Sequence, residues 1–208
     1  MASKFSHATV LAAGITLTAC ASSAPTTQEA VMTTAAAGSP SRLAPVKQWP
    51  LRFESHSFAI HCYDTYGCKA IYAGHVQRDD DPDELRPSSS TYGDDYRRNW
   101  SGAHIMIRNF PAPANVSWRS KNGEAHEAEV DMAAMFKDEL VHHDVSREEM
   151  ADLPDGRYAF EPAIVLEVND RIIRVYMKAF VPTRHPQVPG NANSDAKYDL
   201  ILVKTYNY

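Results

Sequence analysis

Long apolar runs are scarce in this chain. After the first twenty residues no stretch approaches the roughly eighteen apolar residues of a membrane-spanning helix. Cysteine is scarce too, with only Cys20, Cys62 and Cys68 among 208 residues. The sequence lacks a G-x-S-x-G nucleophile elbow and a phosphate-cradling glycine loop, so nucleophilic catalysis and nucleotide binding have no local support. It has no excess of positive charge: 21 basic residues against 26 acidic ones give a formal net charge of −5. That balance argues against nucleic acid as a partner and against an electrostatic contact with a membrane. No internal repeat is visible.

What is present begins at the N-terminus. Lys4 precedes an uncharged, mostly apolar run from Ala8 to Leu17. The run is about half a membrane span and is followed by small residues, the pattern of a secretory signal peptide over residues 1–19. Leu17-Thr18-Ala19-Cys20 resembles a bacterial lipobox. The resemblance implies that Cys20 is acylated and becomes the new N-terminus. Each buried methylene contributes about 0.8 kcal/mol, so one acyl chain holds a protein marginally, whereas the three expected here make release negligible. Ala21 stands where an aspartate would signal inner-membrane retention, which implies the outer membrane, facing the periplasm. Residues 20–50 are rich in Ala, Ser, Thr and Pro and read as a flexible tether spanning roughly 30 Å. Residues 51–208 suit one domain with a single core.

The segment His61–Cys68, HCYDTYGC, holds the two remaining cysteines. Five residues separate them, so this is not a C-x-x-C redox motif. His61, Cys62 and Cys68 offer three ligands where structural zinc takes four, and His61 and Cys62, being adjacent, point to opposite faces of a strand. In an oxidising periplasm the expected outcome is a Cys62–Cys68 disulfide. Closing so short a loop is worth about 2 to 2.5 kcal/mol and fixes Tyr63, Asp64 and Tyr66 in one geometry.

The periodicities predict strands. Phe58, Ile60 and Cys62 alternate with Ser57, Ala59 and His61, and the strand "KAIYAGHV" that follows the disulfide loop is expected to pair with them as a hairpin. Val116 and Trp118, then Ala128 and Val130, flank Asn122-Gly123, read as a type I′ turn. Ile164, Leu166 and Val168 return through Asn169-Asp170 to Ile173, Val175, Met177 and Ala179, and "DLILVKTY" supplies a last strand. The stretch from Asp79 to Ser90 reads as a loop. Helical pattern is confined to Met132–Leu140 and to Ser146–Ala151, where Ser146 and Glu149 have capping-box spacing. The expected fold is mostly β with minor α: an antiparallel sheet or β-sandwich with one or two short helices.

Candidate sites are few. His126–Val130 begins like H-E-x-x-H, but Val130 replaces the second histidine. His142 and His143 are adjacent and diverge. Asp79, Asp81 and Asp83 match the first places of a calcium loop, yet Glu84 and Ser90 occupy its glycine and terminal glutamate positions. No metal and no cofactor is expected. Glu127, Glu129 and Asp131 share one strand face, as a water-facing strand does, and also offer a negative stripe to a basic partner. Tyr92, Tyr96, Arg97 and Trp100 lie in a polar segment without core periodicity. They either cover a sheet or, with Tyr63 and Tyr66, contact a protein partner, since Tyr, Trp and Arg are enriched at hot spots. A site assembled from distant residues would draw on His56, His104 and Asp131.

The segments "HCYDTYGC", "NWSGAHIMIRNFPAPANVSWRSKNGEAHEAEVDM" and "LEVNDRIIRVYMKAF" resemble those of small, largely uncharacterised proteobacterial lipoproteins. Such proteins are associated with immunity to antibacterial effectors, particularly lipases delivered by type VI secretion. The resemblance implies a non-enzymatic binder of a protein toxin. The alternative partner is a component of a secretion system or of the envelope. No catalytic or binding residues carry over from it.

Overall fold

The computed structural model describes residues 49–152 and 160–208. The leader, Cys20 and the tether as far as residue 48 lie outside the described residues. Eleven strands account for most of the regular structure: β1 Ser55–Tyr63, β2 Thr65–Tyr72, β3 His75–Asp79, β4 His104–Arg108, β5 Ala114–Ser120, β6 Ala125–Val130, β7 Ala163–Asn169, β8 Ile172–Lys178, β9 Val181–Pro182, β10 Ala196–Lys197 and β11 Leu200–Asn207. A five-stranded sheet, ordered β11-β8-β7-β1-β4, faces a four-stranded sheet, β3-β2-β5-β6, and β9 and β10 form a small third ladder. The expectation of a β-sandwich with minor helix is met. Its pairings are antiparallel except β1 with β7, which run parallel.

Alternation builds the core. Phe58, Ile60 and Cys62 of β1, Ile164, Leu166 and Val168 of β7, and Ile173, Val175 and Met177 of β8 meet Cys68, Ala70 and Tyr72 of β2 and Val116 and Trp118 of β5. These side chains occupy every second position, so each strand sends one face inward. β7 is buried on both faces from Ala163 to Val168, as befits the middle strand of its sheet.

Several local expectations are corrected. β1 and β2 do not form a hairpin but belong to different sheets. Both carry apolar residues at alternate positions, and placing them in opposite layers buries the two sets against each other. Cys62 and Cys68 are joined by the expected disulfide, which ties the layers where the chain crosses between them. The hairpin partner of β2 is β3, turning at Ala73 and Gly74, both with positive φ. Between β5 and β6 only Gly123 has positive φ (88°), and its N–H reaches the Ser120 carbonyl. This is therefore a type I turn closed by a left-handed glycine, not the type I′ turn that Asn122-Gly123 predicts. The β7–β8 turn sits one residue later than expected, at Asp170-Arg171, with Asn169 paired to Ile172.

The helical expectations shrink. Met132–Leu140 yields only the four-residue α1, Met132–Met135, capped by the Asp131 carboxylate accepting from the Ala134 N–H. Phe136 is buried immediately after it and Glu139 has φ 52°, which ends the coil. At Ser146 the capping box forms: Ser146 N–H donates to Glu149 and Glu149 N–H to the Ser146 hydroxyl. It holds one turn rather than a helix, because Met150 then bridges to Thr183 in extended pairing.

Candidate functional site

The outer face of the five-stranded sheet carries an unusual burial. Along β7, alternate residues point away from the main core, and there the third is charged: Ala163, Val165, Glu167. Glu167 is fully buried. The chain between β3 and β4 makes this possible by lying across the sheet as a roof, residues 88–100, which begins with a 3-10 turn at Ser89–Tyr92.

Every strong donor near Glu167 is aimed at it. Tyr96 Oη donates to Oε1 at 2.6 Å, and Arg97 grips both oxygens, with Nη2 at 2.8 Å from Oε2. Tyr176 Oη donates to Oε2 at 3.1 Å, and Arg174 of β8 stands 3.6 Å away. Asn169 Nδ2 donates to Ser89 Oγ at 3.0 Å and tethers the roof at its other end. Burial alone would push the Glu167 carboxyl up. The hydrogen bonds from Tyr96 and Arg97 and the Arg97 charge outweigh it and hold the carboxyl below its usual range. Conversely, burial and the neighbouring carboxylate push Tyr96 and Tyr176 up to about 12. A carboxylate so saturated with donors is a strut for the roof. It has no lone pair directed at solvent for acid–base work.

Trp100 is the roof's other fixture. Only 5% exposed, it stacks on His61 at 4.5 Å and 8° and meets Tyr96 and Tyr176 edge-on. Lys178 Nζ donates to the carbonyls of Arg98 and Trp100, and burial lowers its pKa. Two residues on, Gly102 passes so close to β1 that an added Cβ would sit 2.0 Å from Ser57 Oγ. Only a residue without a side chain fits that approach.

Five of the six aromatic and cationic candidates are thus brought together and one is not. Tyr63 packs edge-on against Tyr92 and Tyr96 at 5.8 and 5.4 Å. Tyr92 is 54% exposed, Tyr63 and Tyr96 are half-buried, and Arg97 lies 4.5 Å over the Tyr96 ring. Trp100 supports this patch from beneath rather than offering its own face, a correction to its reading as a contact residue. Tyr66 stands apart on the other sheet, under the Arg119 guanidinium. Glu167, Arg174 and Tyr176 were not singled out from the sequence, and His61 was weighed there only as a metal ligand. The signal was there for Glu167, the one charge in the otherwise apolar Ala163–Val168.

The residues of a possible assembled site have structural employment. His56 is buried, its ring nitrogens bonded to Asn109 Oδ1 and Tyr72 Oη at 2.8 and 2.9 Å. His104 Nδ1 is engaged by Gln77, and Asp131 caps α1. His142 and His143 contact different rings, Phe136 and Trp49. Cys62, Cys68 and Asp80 bring potential metal-ligand atoms within 4.8 Å of one another. The sulfurs, however, are bonded to each other, and Asp80 pairs with Arg78 and Arg86. Asp81 accepts from the Asp83 N–H in a local turn. No protein-family model, no characterised protein and no solved structure matches this chain.

Proposed function

We propose that this chain is an outer-membrane-anchored periplasmic lipoprotein whose β-rich domain binds and neutralises an antibacterial protein toxin. The observation that carries the reading is the Tyr63–Tyr92–Tyr96 patch, exposed at its crown and fixed from below by the buried Glu167 network. Rings held in place before binding lose little entropy on contact, and tyrosine presents apolar area and a hydroxyl together. A standard interface of about 800 Å² per partner has room for this patch and its polar surroundings. Acylation at Cys20 would hold the domain where a membrane-attacking toxin acts, at high effective concentration.

The test deletes the gene and challenges the mutant with sister cells that deliver antibacterial toxins by type VI secretion. The mutant is expected to die and to be rescued by the wild-type chain. Tyr92→Ala is expected to weaken toxin binding about thirtyfold, the loss of about 2 kcal/mol that marks an interface hot spot. Survival of the deletion mutant at wild-type level would refute the reading, and a secretion defect without toxin sensitivity would point to an assembly role. Incorporation of labelled palmitate, lost in Cys20→Ser, checks the anchor.

A further inference from the structure

The outer face of the four-stranded sheet has no roof among the described residues. Its side chains form rows across the strands. One row runs Asp79, Lys69, Ser117, Glu127, and the next Val76, Ile71, Asn115, Glu129. A shallow depression of about 380 Å³ lies over these rows, floored by Asn115 and Ser117 and walled by Ile71 on one side and Glu127 and Glu129 on the other.

The two walls differ in chemistry, and among the described residues neither has a partner. Ile71 and Val76 sit directly opposite each other, 40% and 57% exposed. Glu127 and Glu129 lie on edge strand β6, about 7 Å apart by strand geometry. Opposite them stand Ser117 and Asn115, neither of them cationic. Four other acids around this sheet do carry counter-ions: Asp79 with Lys69, Asp80 with Arg78, Asp64 with Lys121, Glu124 with Arg171. Lys69 also lines the depression, with its ammonium held toward Asp79 at 3.5 Å. A solvated strand face needs charge of either sign. Glu127 and Glu129 are adjacent like charges with no cation within ion-pair distance among the described residues, so a cation brought by a partner would meet no competitor there.

We propose that this face is a second docking surface, for a protein partner that inserts an arginine. The arginine stem would lie over Asn115 and Ser117, its guanidinium would bridge Glu127 and Glu129, and an aliphatic neighbour would rest on Ile71 and Val76. Arginine fits better than lysine because its planar fork reaches two carboxylates and its stem tolerates an apolar floor. A second copy of the chain is the competing occupant, and dilution of the chain without peptide distinguishes it. The inference does not depend on the partner of the aromatic patch.

The test titrates the isotopically labelled full chain with acetyl-Val-Arg-Val-amide and, separately, with its Gln counterpart, following backbone amide shifts. The Arg peptide is expected to move Ile71, Asn115, Ser117, Glu127 and Glu129. Its affinity should fall about fivefold in the Glu127→Gln, Glu129→Gln variant and again at high salt, the scale of an exposed charge contact. Tyr92→Ala is expected to leave it unchanged. Equal shifts with the Gln peptide, or shifts that survive the double substitution, would overturn the proposal. So would dilution-dependent shifts at these residues without peptide, which would show a second copy on this face. Both glutamates are exposed, so the variant folds, and an otherwise unaltered spectrum verifies it.

Discussion

The two sheets bury similar inner faces but treat their outer faces in opposite ways. The five-stranded sheet is roofed by residues 88–100, and the roof is fastened by a buried carboxylate, a buried indole and a lysine that caps carbonyls. The four-stranded sheet is bare among the described residues and carries its charge at the surface, with Glu127 and Glu129 unpaired. The same residue type thus does two jobs. Glu167, desolvated and matched by Arg97 and Arg174, fixes structure, whereas Glu127 and Glu129, solvated and unmatched, are free to meet something else. Depth decides: an isolated charge in the interior must find donors, while one at the surface has water.

The largest effect should come from removing the strut. Glu167→Ala leaves Arg97 of the roof and Arg174 of β8 without their anion and is expected to cost about 3 kcal/mol, the low end for breaking a buried pair because both guanidiniums are partly exposed. Urea denaturation gives the value, and Trp100 fluorescence should shift to the red as the indole is wetted. A roof that stayed closed would show that Trp100 and Lys178 suffice without the carboxylate.

Gly102→Ala strikes the same roof where its chain returns to β1. The new Cβ meets Ser57, which lies in a buried strand and has little room to yield. A loss of about 1–2 kcal/mol in urea denaturation is expected, typical of overpacking.

The roofed sheet should also carry a pH signature. His56 and His61 are both held below the usual histidine range, chiefly by burial, so each is neutral in the fold while the unfolded chain takes up protons first. Stability should therefore be complete above pH about 6.5 and fall as pH drops toward the lowered folded values. His61→Phe keeps a ring against Trp100 and should reduce the fall in urea midpoint between pH 7 and pH 5. Glu167 acts in a lower window. Its depressed pKa contributes stability above about 4.3 that is lost as pH falls through the folded value. The smallest effect is expected on the bare face, where Glu127→Gln with Glu129→Gln should change stability by under about 0.5 kcal/mol. A larger change would mean that these carboxylates serve the fold after all.

Much of the sandwich was legible. Alternation in Phe58–Cys62, Val116–Trp118 and Ile164–Val168 marks strands because the side-chain period of two is local. The disulfide was expected because two thiols remain and the lipobox resemblance implies an oxidising compartment. What was not legible is which strands share a sheet. The β1–β2 adjacency suggests a hairpin, yet only the packing of both apolar sets into one core puts the strands in opposite layers. β4 was missed for a related reason: Ile105 and Met106 are both exposed and Met106 has φ 60°, so its pattern is not that of a half-buried strand. The aromatic segment posed a choice between cover and contact, and the structure divides it. Trp100 covers, Tyr92 remains exposed, and Tyr66 belongs to neither.

By itself the sequence determined most of the longer strands, their inward faces and the cysteines available to pair, because each depends on residues within a few positions of one another. The tertiary structure decided which glutamate would be buried and which left to water. That outcome depends on where a roof more than sixty residues away along the chain comes to rest, and no local pattern encodes it.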